Sequence, residues 1–337
     1  MSPARLWLSI FAAGYAIVAA LFVATLLTPP YRGDLTRIGQ LSESRFRARN
    51  ADSEKAREPA PDSPLAQADV LVVGDSFSIE RRWQLDLTLS GLRVAFSHWD
   101  EIGALCADFA ERLAERGFRG RWVIAETIER ELQGRVQDSY RCARMPPVRP
   151  PPHQGSTTGF IPRRALLWPE LNWGETLLTG VINEWHTRRA ARADTELVFA
   201  NTRVVPMQHG CRLFSHAACE KGLFYAIDLQ RSPASQAQLE QMQAIAARPA
   251  PWHLVWMVMP DKSTIYLAPD RRRRVSDGLS ARCLGPDLFA PLLAARDTMI
   301  DLYLPNDTHL SPRGFALVGG VMRRALVEPG ETCMRRP

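Results

Sequence analysis

The chain has 337 residues, of which 46% are hydrophobic, so it is long enough to bury a sizeable core. Its 42 basic and 36 acidic residues leave a formal net charge of +6, and no nucleic-acid-binding motif accompanies that small excess. The composition therefore excludes a protein held to nucleic acid by a strongly basic surface, and we expect no nucleic-acid partner.

The amino terminus carries a long apolar segment. Residues 6–27 are uncharged and almost wholly apolar, and at about 1.5 Å per residue they can cross a hydrocarbon core of roughly 30 Å. We predict a transmembrane anchor at residues 6–28, preceded by a cytoplasmic tip at residues 1–5. A cleaved signal peptide is the alternative, although the apolar run exceeds the usual h-region and no clean Ala-x-Ala site precedes Pro29 and Pro30.

A juxtamembrane segment and linker follow at residues 29–67. Its first part permits a short amphipathic helix within residues 34–50, with apolar side chains at Leu35, Ile38, Leu41 and Phe46. Residues 51–67 are polar, with prolines among the charges, which is typical of a tether.

The body of the chain alternates β-rich runs with helix-like stretches. The β-rich runs are residues 70–73, 92–96, 121–125, 196–200, 254–259 and 299–304. Helical apolar spacing recurs at residues 106–116, 166–191, 235–247 and 312–327. This alternation predicts an α/β domain over residues 68–330 with a mostly parallel sheet covered on both faces, followed by a tail at residues 331–337.

A proline-rich stretch interrupts that alternation at residues 141–164. Its six prolines exclude a regular helix or a central strand, so we expect an extended loop. A lid or polymer-contacting rim and a solvated surface excursion both fit this composition.

A strand that ends in a serine marks the candidate site. The apolar residues 70–73 run directly into Gly74, Asp75 and Ser76, which places a hydroxyl at the carboxyl end of a strand, where open α/β sheets do their chemistry. Far downstream, residues 307–314 read Asp-Thr-His-Leu-Ser-Pro-Arg-Gly. That loop can supply both an imidazole and a carboxylate.

These residues suffice for a catalytic triad. A serine hydroxyl needs an imidazole to take its proton and a carboxylate to orient that imidazole. We assign Ser76 as nucleophile, His309 as general base and then general acid, and Asp307 as the orienting group. Their distance along the chain is no objection, because triads are assembled in space.

Helix capping is the alternative explanation for the same residues. Asp75 with Ser76 can satisfy free N–H groups of a turn or helix, and Asp307 with Thr308 can cap a helix that begins near Pro312. Capping explains either site alone. It does not explain why both loops carry triad chemistry.

The two blocks resemble the SGNH/GDSL hydrolase superfamily, whose first block is Gly-Asp-Ser and whose last block carries the Asp and His of the triad. The resemblance implies a three-layer α/β domain of that type, and its own spacing is commonly Asp-x-x-His. Here Asn306 occupies the position three before His309, and the carboxylate lies two before it, at Asp307.

The Asp-x-His spacing is similar to that of one branch, the alginate O-acetyltransferase-like proteins. Residues 258–266 resemble the Pro-Asp-Lys-x-x-x-Tyr segment of that branch, and residues 126–130 resemble its Glu-x-x-Glu-Arg segment. The residues assigned on this basis to substrate contact or to support of the site are Glu126, Glu129, Arg130, Lys262 and Tyr266. We assign the same role to Asp75, which precedes Ser76. A structural ion pair is the alternative for the Glu and Arg residues.

The sequence defines the donors of an oxyanion hole less clearly than the triad residues. The Ser76 backbone N–H can be one donor, but the blocks that supply the others in the superfamily have no match here. Gly103 and Asn201 are candidates by residue type alone. The remaining histidines show no metal-ligand spacing, so we expect neither a metal nor another cofactor.

The resemblance implies a membrane-anchored O-acetyltransferase. It would accept acetyl from a membrane-bound O-acyltransferase and pass it through acetyl-Ser76 to hydroxyls of an exopolysaccharide or cell-wall glycan. A carbohydrate acetylesterase with the same triad and a non-catalytic scaffold of a polysaccharide export complex are the alternatives. The same resemblance implies a single-pass protein of the bacterial inner membrane with its catalytic domain in the periplasm.

The cysteines fit an oxidising compartment without fixing their connectivity. Cys211 and Cys219 are close enough in sequence to clip a loop. Further pairs consistent with that compartment are Cys106 with Cys142 and Cys283 with Cys333. Six cysteines allow fifteen connectivities, so the pairing stays open at the level of sequence.

Overall fold

A computed structural model describes residues 2–50, 58–145, 171–173, 175–230 and 234–328, with the backbone alone at residues 272–274. The chain forms two compact units. The first contains Met1–Asn50, Thr158–Ala226 and Leu304–Thr308, and the second contains Ala51–Thr157, Ile227–Tyr303 and His309–Pro337. These boundaries differ from the single domain expected over residues 68–330, because two of its segments group with the amino-terminal 50 residues.

The strands form two separate sheets. In chain order they are β1 (Val70–Gly74), β2 (Val94–His98), β3 (Trp122–Ile128), β4 (Leu197–Phe199), β5 (Thr202–Pro206), β6 (Lys221–Tyr225) and β7 (His253–Met259). Strands β2, β1, β3 and β7 form the sheet of the second unit in that spatial order, and strands β4, β5 and β6 form the sheet of the first.

The helices of the first unit's amino-terminal segment are α1 (Pro3–Leu26), α2 (Asp34–Gly39) and α3 (Glu43–Phe46). Those of the following segment of the second unit are α4 (Ser76–Ile79), α5 (Leu85–Leu89), α6 (Trp99–Ile102), α7 (Phe109–Glu115) and α8 (Leu132–Arg141). The remaining helices are α9 (Thr179–Arg192), α10 (Gln236–Ala246), α11 (Lys262–Tyr266), α12 (Arg273–Ala281), α13 (Phe289–Arg296) and α14 (Pro312–Val327).

The second unit is built on a four-stranded parallel sheet. Every residue of the two central strands, β1 and β3, is buried, as expected for continuous apolar runs covered on both faces. The prediction of an α/β fold with a mostly parallel sheet is therefore confirmed. Because the strands are parallel, the carboxyl ends of β1, β3 and β7 lie at one edge of the sheet, where ligands bind in such folds.

The first unit has a small antiparallel sheet and its own apolar core. Strand β5 pairs with β4 on one side and with β6 on the other. The core includes Leu35, Leu41 and Phe46 from the amino-terminal segment, together with Phe199 and Leu223 from the sheet. The predicted amphipathic stretch thus forms the two short helices α2 and α3. Leu35, Leu41 and Phe46 pack with the sheet, whereas Ile38 is half-buried.

Helix α1 is the predicted membrane anchor. It has 24 residues and a mean hydropathy of 2.2, and among the described residues it is the one helix long and apolar enough to cross a membrane. Its most apolar stretch is not buried against the rest of the protein. The helix begins three residues before the predicted span, because Pro3 occupies the first helical position, which proline tolerates well.

Two elements differ from the sequence-based expectation. Residues 299–304 form turns in place of the predicted strand, with a single bridge from Tyr303 to Leu310, and Asp301 adopts a left-handed backbone conformation that breaks an extended strand. The later residues of the expected tether pack on the rest of the second unit. The Ala60 N–H donates to Arg81 O at 3.1 Å, and the Ser63 N–H donates to Val94 O at 3.0 Å. Residues 51–57 of that tether lie outside the described residues.

Two of the three suggested cysteine pairs are disulfide bonds among the described residues. Cys106 is bonded to Cys142, and Cys211 to Cys219. Cys283 is also disulfide-bonded, while its proposed partner Cys333 lies outside the described residues. The predicted proline-rich loop follows α8, and its residues from 146 onward also lie outside them.

Candidate active site

The loop that carries Ser76 begins where β1 ends. Gly74 is the last residue of the strand, Asp75 is the N-cap of α4, and Ser76 is the first residue of that helix. A Cβ atom at position 74 would lie 2.7 Å from a Glu126 carboxylate oxygen and from the Ser78 side chain. Only glycine fits there, so the turn that presents Ser76 depends on a residue without a side chain.

The Asp75 carboxylate points into the protein and ties the loop to the sheet. Its Oδ1 accepts the Phe77 N–H at 3.0 Å, and its Oδ2 accepts the Ile128 N–H at 2.9 Å, at the end of β3. The capping role proposed for Asp75 is confirmed. Both carboxylate oxygens are therefore engaged in fixing the backbone that carries Ser76.

Ser76 and His309 come together across 233 residues of sequence. Nε2 of His309 lies 2.8 Å from the Ser76 hydroxyl oxygen, which is a hydrogen bond of the length that proton transfer between the two groups requires. Ser76 is exposed and His309 is half-buried. The hydroxyl is therefore both paired with an imidazole and accessible from solvent.

Aromatic packing holds the imidazole in place. The His309 ring lies 4.5 Å from the Phe77 ring, centroid to centroid, at an interplanar angle of 36°. Phe77 is fully buried and also meets the edge of Phe315 on α14 at 6.2 Å. Phe77, which follows Ser76, thus supports the His309 ring, and Phe315 on α14 supports Phe77 in turn.

The cap of α14 is Ser311, not Asp307. The Ser311 hydroxyl accepts the Gly314 N–H at 3.2 Å, and Pro312 takes the first helical position. The Ser311 N–H donates to Leu302 O at 3.0 Å, which fixes the loop immediately after His309. The capping alternative for Asp307 at this helix is therefore wrong.

Asp307 belongs to the first unit, in the segment Leu304–Thr308. Its Oδ2 accepts the N–H of Asp34, the first residue of α2, at 3.2 Å. The neighbouring Asn306 accepts two further N–H groups of that helix through its carbonyl oxygen, and its side-chain amide donates to Glu43 at 2.8 Å. Asn306 is thus committed to Glu43, and the carboxylate next to His309 in sequence is that of Asp307.

A buried carboxyl group contacts the loop that carries Ser76. Glu126 is fully buried in β3, and its Oε2 accepts the Asp75 N–H at 2.9 Å and the Ser78 hydroxyl at 2.8 Å. Burial, and next the negative charge of Asp75, raise the pKa of Glu126 well above its usual range. The neutral form is favoured, and we interpret Glu126 as a positioning residue for the loop that carries Ser76.

Arg130 forms the centre of a second buried group. Its Nη1 lies 2.7 Å from Asp261 Oδ1 and 3.4 Å from Asp228 Oδ1. Ser263 donates its hydroxyl to Asp228 at 2.7 Å, and the Asp261 N–H donates to Glu129 at 3.1 Å. The structure thus favours the alternative expected for these residues, a structural ion-pair network, over direct substrate contact.

Burial shifts the pKa values of the residues in this group. Burial raises the pKa of Glu129, Asp228 and Asp261. Burial lowers the pKa of Arg130, but the surrounding carboxylates outweigh it and raise the pKa above its ordinary value. The guanidinium therefore remains charged and compensates carboxylates that would otherwise be costly to bury.

Lys262 and Tyr266 lie on the buried helix α11, with 1% and 7% of their surface exposed. The Tyr266 hydroxyl is 3.5 Å from the Tyr303 N–H, and the Tyr303 hydroxyl donates to Pro260 O at 2.6 Å. Burial raises the pKa of Tyr266. This placement favours a supporting role for both residues and leaves them no open face toward a polymer.

The structure favours one of the three candidate oxyanion-hole donors over the other two. The Gly103 N–H is already donated to Trp99 O at 2.6 Å. Asn201 belongs to the first unit, where its carbonyl oxygen accepts the Ala226 N–H at 2.8 Å. The Ser76 N–H lies in the first turn of α4, where backbone N–H groups have no acceptor within the helix, so it stays the predicted donor.

Sequence reasoning did not identify Ser78 and Trp83. Ser78 is fully buried, donates to Glu126 and accepts the Trp83 indole N–H at 3.1 Å. Its position two residues after Ser76 was the only available signal, since nothing in the sequence separates a buried serine from an exposed one.

Comparisons with protein-family models, with curated proteins and with solved structures find no match to this chain.

Proposed function

We propose that this chain is a serine-dependent O-acetyltransferase of the SGNH hydrolase type, anchored in a membrane by α1. It would transfer acetyl to hydroxyl groups of an exopolysaccharide or cell-wall glycan. The observation that carries the proposal is the 2.8 Å contact between Ser76 Oγ and His309 Nε2 at the carboxyl end of a central parallel strand. The fold and this pair together support acyl transfer through a serine.

The first half-reaction forms an acyl-enzyme. His309 Nε2 takes the Ser76 proton as Oγ attacks the acetyl carbonyl carbon, and the negative charge that develops on the carbonyl oxygen is stabilised by the Ser76 N–H. The imidazolium then gives its proton to the departing group of the donor. Acetyl-Ser76 and neutral His309 remain.

The second half-reaction reverses these steps with a new nucleophile. A sugar hydroxyl gives its proton to His309 and attacks the acetyl carbonyl, and the regenerated Ser76 oxygen recovers the proton from the imidazolium. In this scheme Asp307 keeps the imidazole in the tautomer with the proton on Nδ1. The role of Asp307 rests on its position two residues before His309.

The donor and the compartment are those that the resemblance implies, and the amino-terminal helix supports both. In this proposal a single-pass anchor keeps the body near the bilayer, where a membrane-bound O-acyltransferase would deliver acetyl from the other side. The disulfides Cys106–Cys142 and Cys211–Cys219 support an oxidising compartment. The proposal is therefore a periplasmic catalytic body attached to the bacterial inner membrane.

A carbohydrate acetylesterase is the second candidate. The exposure of Ser76 favours it, because an acyl-serine on an open surface is also accessible to water. The two activities share every catalytic residue and differ in the group that reaches the acyl-enzyme. A non-catalytic scaffold would not require the hydrogen-bonded Ser76–His309 pair.

The test uses the full chain in detergent micelles or nanodiscs with a chromogenic acetyl ester, followed by intact-mass measurement with and without oligosaccharide acceptors. A Ser76-dependent adduct of one acetyl group that moves onto a sugar supports the transferase, and an adduct discharged only to water supports the esterase. Ser280→Ala is the matched control, since Ser280 is another exposed serine of the second unit, on α12. A folded protein that forms no adduct with any acetyl donor would contradict both activities.

A further inference from the structure

An apolar face on and beside α9 is exposed. It consists of Trp173, Leu177, Leu178, Val181 and Trp185, which are between 39% and 72% exposed, and we call it the α9 apolar face. The positions 178, 181 and 185 follow helical spacing, so they share one side of the helix. The opposite side of α9 carries the buried residues Asn183, Thr187 and Ala190.

The carboxyl end of α1 is attached to the start of this face. The Thr25 hydroxyl donates to Leu177 O at 2.7 Å and accepts the Gly180 N–H at 3.2 Å. The Asn172 N–H donates to Leu26 O at 3.1 Å, and the Phe22 ring lies 6.4 Å from the Trp173 ring. The last turn of the candidate membrane helix and the first turn of α9 are thus joined by direct contacts.

The close approach of α1 and α9 depends on a glycine. A Cβ atom at Gly180 would lie 2.7 Å from Thr25 Cα, so only glycine allows the helices to meet at this point. Thr25 itself is 2% exposed, although it lies at the end of an otherwise exposed helix. The junction therefore fixes where α9 lies relative to the end of α1.

These contacts locate the α9 apolar face with respect to a bilayer. If α1 crosses the hydrocarbon core, its last turn emerges at the lipid–water interface, and the residues bonded to that turn are at the same depth. Tryptophan is enriched at that depth because its ring is apolar and its N–H is polar. We propose that the α9 apolar face lies in the headgroup region of the bilayer that α1 spans.

Charge along α9 fits the same orientation. Beyond Trp185 the exposed side carries Arg188, Arg189 and Arg192, and the Arg189 guanidinium lies 5.6 Å from the Trp185 ring centroid. An apolar start followed by exposed cations is typical of helices that rest on phospholipid, where cations meet the phosphates. The occupant of this face is therefore phospholipid, and α9 is a second membrane contact beside α1.

This inference requires that α1 spans the bilayer, but it requires neither the transferase nor the esterase activity. Three exposed valines of the first unit allow a matched test. Val18 lies on α1 (49% exposed), Val181 on the α9 apolar face (45%) and Val198 on β4 (56%). Each is changed to cysteine in the full chain, and its thiol is labelled with an environment-sensitive fluorophore after reconstitution into nanodiscs of phosphatidylcholine and phosphatidylglycerol.

The readouts are the emission maximum of the label and its quenching by spin-labelled lipids. We expect the Val18→Cys label to be quenched by a probe deep in the acyl chains, and the Val181→Cys label by a probe near the headgroups. The Val198→Cys label should remain water-like. Leu178→Cys repeats the Val181 measurement on the same face, and an unchanged circular dichroism spectrum and melting temperature report that each labelled protein is folded.

A quenched Val18 label with water-like Val181 and Leu178 labels would overturn the inference while leaving the anchor intact. That pattern would leave the face for a protein partner. Water-like labels at all positions would remove the anchor as well. Equal quenching at Val181 and Val198 would show that contact with lipid is not specific to α9, and would also overturn the inference.

Discussion

Nε2 of His309 lies 2.8 Å from the hydroxyl oxygen of Ser76, although the two residues are 233 positions apart. Ser76 is fixed by the strand-to-helix turn after β1, and His309 by the Phe77 ring and the capped start of α14. Each partner is thus held by its own local structure. If the proposed roles are right, the base and the nucleophile are already arranged for reaction before substrate binds.

Removal of either member of this pair should abolish acyl transfer. We expect Ser76→Ala and His309→Ala each to reduce kcat by about 10⁴-fold or more, because the two groups act as a unit and the loss of one makes the other ineffective. The measurement is turnover of a chromogenic acetyl ester by the full chain, with Ser280→Ala as the control. Retention of wild-type turnover in Ser76→Ala would refute the assignment of the nucleophile.

The carboxylate two residues before the histidine is tested by Asp307→Asn. We expect a fall in kcat of about 10²-fold to 10⁴-fold, because an amide no longer stabilises the imidazolium or selects its tautomer. Unchanged activity in Asp307→Asn would remove that role from Asp307.

Glu126 should give the stability of the protein a pH dependence of predictable sign. Its folded pKa is raised by burial above the ordinary value of about 4.3, so the stability it contributes is complete below that value and is lost as pH rises through the folded pKa. Glu126→Gln keeps an acceptor for the Asp75 N–H and cannot ionise. We expect the melting temperature of Glu126→Gln, relative to wild type, to improve between pH 5 and pH 9.

Glu126→Ala is the comparison for that measurement. Glu126→Ala leaves the Asp75 N–H and the Ser78 hydroxyl without their acceptor and should cost about 1–3 kcal/mol at pH 5. It should also lower turnover, since the Ser76 loop loses its support. A difference between Glu126→Gln and wild type that stays constant from pH 5 to pH 9 would contradict the buried neutral carboxyl.

We expect Arg130 to contribute mainly to the free energy of unfolding and less directly to catalysis. Arg130→Ala leaves Asp228 and Asp261 buried without their cation, at a cost of about 3–5 kcal/mol. The penalty should be smaller at pH 5 than at pH 8, because the uncompensated carboxyl groups can then take up protons. Chemical denaturation of the full chain in detergent at both pH values measures it.

The control for this prediction is Arg188→Ala. Arg188 pairs with Glu184 at 2.6 Å, but both side chains are at least half exposed, and surface pairs contribute about 0–1 kcal/mol. Equal denaturation midpoints for the Arg130 and Arg188 variants would show that the buried network does not support the fold. A normal midpoint with lost turnover would instead indicate direct substrate contact by Arg130.

Local patterns in the sequence were enough for several elements. The apolar run of residues 70–73 predicted β1, and the Ser-Pro start with apolar spacing predicted α14 over residues 312–327 with the observed bounds. The predicted helix at residues 235–247 is α10, whose Ser235 and Gln238 form a capping box. Each of these signals depends on residues within a few positions of one another, so no distant contact is needed to interpret it.

The division of the body into two units could not be predicted in the same way. Strands β5 and β6 are short, and their pairing partners are set by the core that Leu35 and Phe46 form with them. The helix junction at Thr25 and Gly180 joins residues 155 positions apart. Such contacts depend on the whole fold, because a short strand or a single glycine carries no information about its distant neighbour.

The candidate site, like the fold, could be predicted from the sequence only in part. The sequence by itself determined the residue types of the chemistry, since Ser76 follows a strand and His309 stands between a carboxylate and a helix start. Only the tertiary structure decided that Nε2 meets Oγ, that Asp75 and Glu126 support the loop from below, and that Arg130 is a buried counter-ion. The physical reason is that nucleophile and base are properties of a side chain, whereas distance, burial and the resulting pKa arise only when separate segments pack together.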